Sequence, residues 1–211
     1  MAVEVRVYYD FASPFCYVAR AVLARLGRSH DIRVDWQPFE VIDYLPPQGA
    51  MPQNPAFVRR AQARDAARLA RVYGLEVHLR DRLLNSNLAL CTVEHARVVA
   101  AMQSDAGMLD AVHAALFEAF YRDQRDIGKV ENVLDMARTA GLQHGLAEAL
   151  ADGRYREVVA RSRRDAHALG VVSVPLFLAH GYAVGGIPEF AAFKQLIAQA
   201  AAPRHTPEGQ L

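Results

Sequence analysis

Residues 13 to 16, Ser13-Pro14-Phe15-Cys16, hold the most chemically suggestive spacing in the chain. A β-branched run, Val3, Val5 and Val7, ends in Tyr8-Tyr9-Asp10, and the four residues then lead into a helical pattern. With cysteine at position 13 the stretch would be a Cys-x-x-Cys dithiol at a strand-to-helix turn. The unpaired N–H groups and dipole of a helix N-terminus favour negative charge, so a thiol there ionises readily. A serine hydroxyl does not, because its pKa is far too high. Ser13 can instead donate a hydrogen bond to the thiolate of a bound small thiol and help keep it ionised beside the same helix end. Its other reading is an ordinary helix N-cap. Cys16, one turn further in, is either a buried structural thiol or a resolving thiol able to form mixed disulfides.

Other candidates are placed further along. Cys91 shares a helical pattern with Leu88 and His95 and reads as core. Pro175, in Ser173-Val174-Pro175-Leu176, stands at the start of a strand pattern, where proline is either edge-placed or cis. A cis bond would turn the Val174 backbone outward, its N–H and C=O free for an extended ligand. Asn85-Ser86-Asn87 precedes an apolar helical run and reads as a cap, with Asn85 as a polar ligand contact in second place. Gly185-Gly186 before a helix start offers N–H groups to an anion. The eight histidines form no H-x-x-x-H pair and no cluster with cysteine, so no metal is expected. There is no phosphate-binding glycine loop and no G-x-S-x-G elbow.

Positioning these residues requires a sheet. Residues 3–9 and 32–39 read as strands, and 13–29 between them as a helix with Ser13 at the cap, Pro14 at the first helical position and Gly27 as a stop. Residues 43–56 carry four of the ten prolines and read as a loop. Helical periodicity then covers 55–73, 87–103, 108–122, 130–140, 143–151 and 155–169. Strands return at 171–179 and 182–184, a helix follows from about Pro188 to Ala201, and 203–211 reads as a tail. Neither end has enough strands to bury its own faces, so the two must join in one sheet. The expectation is an α/β, thioredoxin-like fold: residues 1–44 plus 170–202 form a discontinuous thioredoxin-like domain around a large all-helical insertion domain, residues 55–169.

Composition sets outer bounds. With 211 residues and 52% apolar content the chain can bury an ordinary core. Lys and Arg number 24 against 23 Asp and Glu, which leaves no field to attract nucleic acid. No apolar run approaches the roughly 18 to 20 residues of a membrane span. Glu4 and Arg6 interrupt the first apolar run, so it reads as a strand and not a secretory signal, and a cytoplasmic location is expected.

Taken together, the Asp10-to-Tyr17 motif, Asn85-Ser86, residues 116–142, 169-LGVVSVP-175 and 181-GYAVGGIPEF-190 resemble the DsbA-like thioredoxin superfamily. They look closest to its cytosolic branch, which also holds kappa-class glutathione transferases and 2-hydroxychromene-2-carboxylate isomerases. The resemblance covers nearly the whole chain and implies a cis Pro175. Thiol oxidoreductases of the branch have cysteine at both motif positions. The glutathione-using isomerases and transferases have serine at the first, where it is thought to stabilise the glutathione thiolate. Ser13 matches the second group and Cys16 the first. Where isomerase-like members usually carry an Asp-Arg pair, Ile187-Pro188-Glu189 stands here.

The resemblance therefore implies a thiol- or glutathione-dependent oxidoreductase, isomerase or transferase. Ser13 and Cys16 are its candidate catalytic residues, and Pro14, Phe15, Asn85, Val174, Pro175 and Gly186 its candidate binding residues. Glutathione is the expected cofactor, a small molecule or peptide the substrate, and a homodimer the default assembly. Two alternatives stand beside it: a single-cysteine redox protein working through Cys16, and a peptide-binding or chaperone-like protein without chemistry.

Overall fold

A computed structural model describes residues 2–41, 55–79 and 85–201. Four strands, β1 (Val3–Tyr9), β2 (Ile32–Pro38), β3 (Leu176–Ala179) and β4 (Tyr182–Gly185), form a sheet in the order β2-β1-β3-β4. β2 runs parallel to β1 through the crossover helix α1 (Pro14–Leu26), and β3 lies antiparallel on the other side of β1. The central pair thus joins the two ends of the sequence, with Val7 opposite Phe177.

Alternation along β1 decides its burial. Val3, Val5, Val7 and Tyr9 enter the main core, while Tyr8 points to the opposite face, among Phe39, Ala166 and Val171. A strand covered on both faces can be this apolar. On the main-core side α1 contributes Cys16, Val18, Ala19, Val22 and Leu26 at helical spacing, all without exposed surface. The C-terminal helix α8 (Phe190–Ala201) sets Phe193 against Phe177, ring centroids 4.7 Å apart.

Between β2 and β3 come only helices among the described residues: α2 (Pro55–Val72), α3 (Asn87–Gln103), α4 (Ala106–Tyr121), α5 (Val130–Thr139), α6 (Leu146–Ala151) and α7 (Arg156–Ala168). α3 is the axis of this block, with Leu90, Cys91, Val93, Glu94, His95 and Ala96 all buried. α4 joins it to the sheet. Tyr17 of α1 stacks on Phe117 and Tyr121 of α4 at 5.8 and 5.2 Å. The Tyr121 hydroxyl donates to the Phe11 carbonyl oxygen at 2.9 Å, directly beneath the turn that leads to Ser13.

Several boundaries differ from the sequence reading, each for a local reason. α4 begins at Ala106 and not 108, because Asp105 accepts from the Met108 N–H and caps it there. α6 begins at Leu146 and not 143, after Gly145 at φ +74°. The strand expected from 171 begins only at Leu176: the Val171 N–H is bonded to the Ala166 carbonyl at the end of α7, and Pro175 has no N–H for a ladder. α8 starts at Phe190, two residues after Pro188. Of the loop expected over 43–56, residues 43–54 lie outside the described residues, and Pro55 and Ala56 already open α2. The tail 203–211 also lies outside them.

Candidate active site at the head of helix α1

Ser13 occupies the N-cap position of α1, yet its side chain makes no capping hydrogen bond. The hydroxyl instead donates to the carbonyl oxygen of Val174 at 3.4 Å. That is long for an O–H···O bond, whose usual distance is about 2.7–2.8 Å, so it can be given up to a stronger acceptor. The Val174–Pro175 peptide bond is cis. Pro175 is buried, while Ser13, Pro14, Phe15 and Val174 are half-buried. Ser13, Pro14, Phe15, Val174 and Pro175 therefore meet at one partly open place, between the head of α1 and the segment entering β3.

Cys16 lies on the inner side of the same helix turn, with no exposed surface. Its N–H donates to the Ser13 carbonyl at 3.0 Å, as the first turn requires. Burial pushes its thiol up to about 12. A hydrogen bond from the Asp10 backbone and the Ser13 hydroxyl pull the other way, and the Asp10 charge adds to the rise. The balance leaves a protonated thiol at neutral pH. Cys91 is buried as well; its thiol is raised to about 11, chiefly by desolvation, and donates to the Asn87 Oδ1 at 3.6 Å. Both cysteines are free.

Two other expected site residues are placed differently. The Gly186 N–H, expected to face an anion, donates to the Pro175 carbonyl at 2.8 Å and is thereby spent. Gly186 has φ +71° and lies four residues before α8, so it forms a turn that locks the Pro175 segment and not a helix N-terminus. The Asn85 side-chain oxygen accepts from the Asn87 N–H at 2.8 Å, so it is this residue, and not Ser86 at the cap position, that satisfies the head of α3. Asn85 itself is exposed.

Asp10 opens the motif that carries the resemblance but was not among the expected site residues. It is fully buried, and its two carboxylate oxygens accept from the Ala12 N–H at 2.9 Å and from the Val41 N–H. Burial raises its carboxyl above the usual range, while the Ala12 N–H, the Ser86 hydroxyl and the Val41 N–H lower it. Tyr9, Phe11, Trp36 and Phe117 enclose a second unanticipated group, the fully buried imidazole of His113, with ring centroids 4.3 to 5.5 Å from it. Among the described residues neither ring nitrogen has a partner, and desolvation lowers its pKa well below the ordinary value. Also among the described residues, no group of three His, Cys, Asp or Glu could hold a metal ion, and no helix is long and apolar enough to cross a membrane.

This geometry can be set beside known proteins. The family model of the DSBA-like thioredoxin domain matches residues 4–198. The fold is shared with a probable DsbA oxidoreductase from Streptomyces coelicolor, at 25% identity and a TM-score of 0.76, covering 99% of this chain and 94% of the other. A 2-hydroxychromene-2-carboxylate isomerase superposes with a TM-score of 0.72 at 17% identity, 93% of each chain covered. The cytosolic disulfide reductase DsbM from Pseudomonas aeruginosa, solved with glutathione, superposes with a TM-score of 0.63 at 20% identity, covering 93% of this chain and 95% of the other.

Proposed function

Because this chain belongs to the DSBA-like thioredoxin domain family, whose neighbours in fold include oxidoreductases and an isomerase, we propose that it is a thiol-dependent enzyme of that family that binds glutathione at Ser13. The observation that carries the reading is the Ser13 hydroxyl, which is not used to cap its own helix and faces Val174 across a partly open site. A glutathione sulfur placed at the head of α1 would take that hydrogen bond as a thiolate, its proton leaving to solvent. The half-buried backbone at Val174 would hold the peptide part of the ligand, with Pro14 and Phe15 beside it. The glutathione-bound neighbour with the same fold supports this choice of thiol.

Cys16 is not the reacting group in this proposal. Its burial and a thiol at about 12 speak against the single-cysteine alternative, since the thiolate is the nucleophile and a neutral, inaccessible thiol exchanges slowly. The reaction is then the oxidoreduction, isomerisation or transfer of a small molecule or peptide by way of the bound thiol, in the cytoplasm, where glutathione is abundant and reduced. The enzyme of this proposal is a homodimer.

Calorimetry and thermal shift with reduced glutathione test it. The expected result is binding at millimolar ligand or below by the wild type, weakened in Ser13→Ala, with the bound thiol ionising at lower pH in the wild type. No binding at millimolar glutathione, by either form, ends the proposal. Binding of extended peptides with no turnover of any thiol-dependent substrate would favour the peptide-binding alternative.

A further inference from the structure

Ser13 can hold a thiolate only if the turn before α1 is itself held, and nothing in that turn is regular structure. Residues 10–13 connect β1 to α1 in a few steps, with the Ser13 N–H bonded back to the Asp10 carbonyl at 3.1 Å. The Asp10 side chain adds the remaining constraint. One carboxylate oxygen accepts from Ala12, immediately before Ser13, and the other from Val41, in the segment leaving β2. A single buried carboxylate thus joins two stretches far apart in sequence: the turn carrying Ser13 and the exit of β2.

An ionised carboxylate with two oxygens is suited to this, because it accepts from N–H groups on both sides. An amide of the same shape is not. Asparagine can satisfy only one of the two N–H groups and would turn its own NH2 toward the other.

We propose that Asp10 is a positioning residue for Ser13: it touches no ligand, and it fixes the hydroxyl where a bound thiolate can receive its hydrogen bond. The inference rests on the reading of Ser13 given above. It differs from a role in charge alone, and the sign of one measurement separates the two. The Asp10 charge disfavours a thiolate nearby, as it does at Cys16. If charge were all, Asp10→Asn would lower the pKa of a bound thiol. If Asp10 acts by placing Ser13, Asp10→Asn raises it.

The experiment titrates the thiol of bound reduced glutathione, followed by the ultraviolet absorbance of its thiolate, in wild type, Ser13→Ala, Asp10→Asn and the double variant. The expected result is an upward shift in Asp10→Asn of at least half that in Ser13→Ala. The double variant should shift no further upward than Ser13→Ala alone, the non-additivity expected of two residues acting through one bond. If Ser13→Ala shifts the titration and Asp10→Asn leaves it or lowers it, the positioning role is overturned and the reading of Ser13 stands. If the wild type binds no glutathione, or Ser13→Ala shifts nothing, both fall. Should Asp10→Asn fail to fold, amide hydrogen exchange on the unaltered chain decides. The Ala12 N–H must be protected, and exchange there as fast as at an exposed loop amide overturns the proposal.

Discussion

The Ser13 hydroxyl lies 3.4 Å from the carbonyl oxygen of Val174, a contact spanning 161 positions of sequence that brings the head of α1 against the residue before a cis proline. It joins the two ends of the chain at the place where the helix dipole is strongest. In the proposed function position 13 is where a sulfur atom is received, whether that sulfur comes from a ligand or from the residue itself.

Restoring a thiol at that position is the direct test of the second case. Ser13→Cys would put a low-pKa thiol at the helix N-terminus, one turn from Cys16, whose N–H already bonds to the residue 13 carbonyl at 3.0 Å. Mild oxidation should form an intramolecular disulfide, seen by mass spectrometry as the loss of two hydrogens, and reduction should reverse it. The wild type should show no such loss. Free thiols persisting at both positions 13 and 16 in oxidised Ser13→Cys would mean that the two residues are not held in bridging geometry.

Cys16 in the native protein should resist alkylation. A thiol at about 12 is thiolate in only about one part in ten thousand at pH 8, and burial adds a barrier to access. Iodoacetamide should leave Cys16 unmodified under native conditions and label it fully after denaturation. Cys91, at about 11 and almost as buried, should behave similarly. Rapid native labelling of Cys16 would show that the helix head opens, and would revive the single-cysteine alternative.

How far such a site can be read in advance depends on whether its chemistry is local in sequence. Ser13, Pro14 and Cys16 stand within one helical turn, so their placement follows from a strand, a cap and a proline in succession. The helices of the insertion were legible for the same reason, since α2, α3 and α5 are marked by periodicity and nearby end signals. Asp10 was not, because what makes it important is its contact with Val41, 31 positions away. The start of β3 was misread because a run of valines has strand propensity, yet Val171 is committed to the end of α7. Gly186 looked like an anion site until its N–H was found on Pro175. His113 carries no signal at all in sequence, being a polar residue at an apolar position of a helix.

Tyr121→Phe removes the one hydroxyl that bonds the helical block to the Phe11 carbonyl. The contact is buried, so the carbonyl would lose a partner it cannot replace with water, at a cost of about 1–3 kcal/mol. Chemical denaturation should report that loss with the slope unchanged. Phe11 lies between Asp10 and the Ser13 turn, so glutathione affinity should fall as well. A variant as stable as the wild type would show that this bond contributes little to docking the block on the sheet.

His113 sets a pH limit on stability. Its folded pKa lies well below the unfolded value of 6.5, because desolvation and the charges of Arg20 and Arg97 oppose protonation. Above pH 6.5 it is neutral in both states and contributes no pH dependence. As pH falls below 6.5 the unfolded chain takes up a proton that the folded chain refuses, so stability drops by up to about 1.4 kcal/mol per pH unit from this group alone. Asp10 and Glu94, whose carboxyls are raised by burial, act in the opposite sense near their own pKa values, so a comparison of two proteins is needed to isolate the histidine. His113→Phe supplies it. Phenylalanine fits among Tyr9, Phe11, Trp36 and Phe117 and leaves no buried nitrogen without a partner, so the variant should be at least as stable at pH 7. Between pH 6.5 and 5 its melting temperature should fall less than that of the wild type. Parallel curves would mean that the imidazole is protonated in the folded protein, and that the ring enclosure seen around it admits a counter-charge or water.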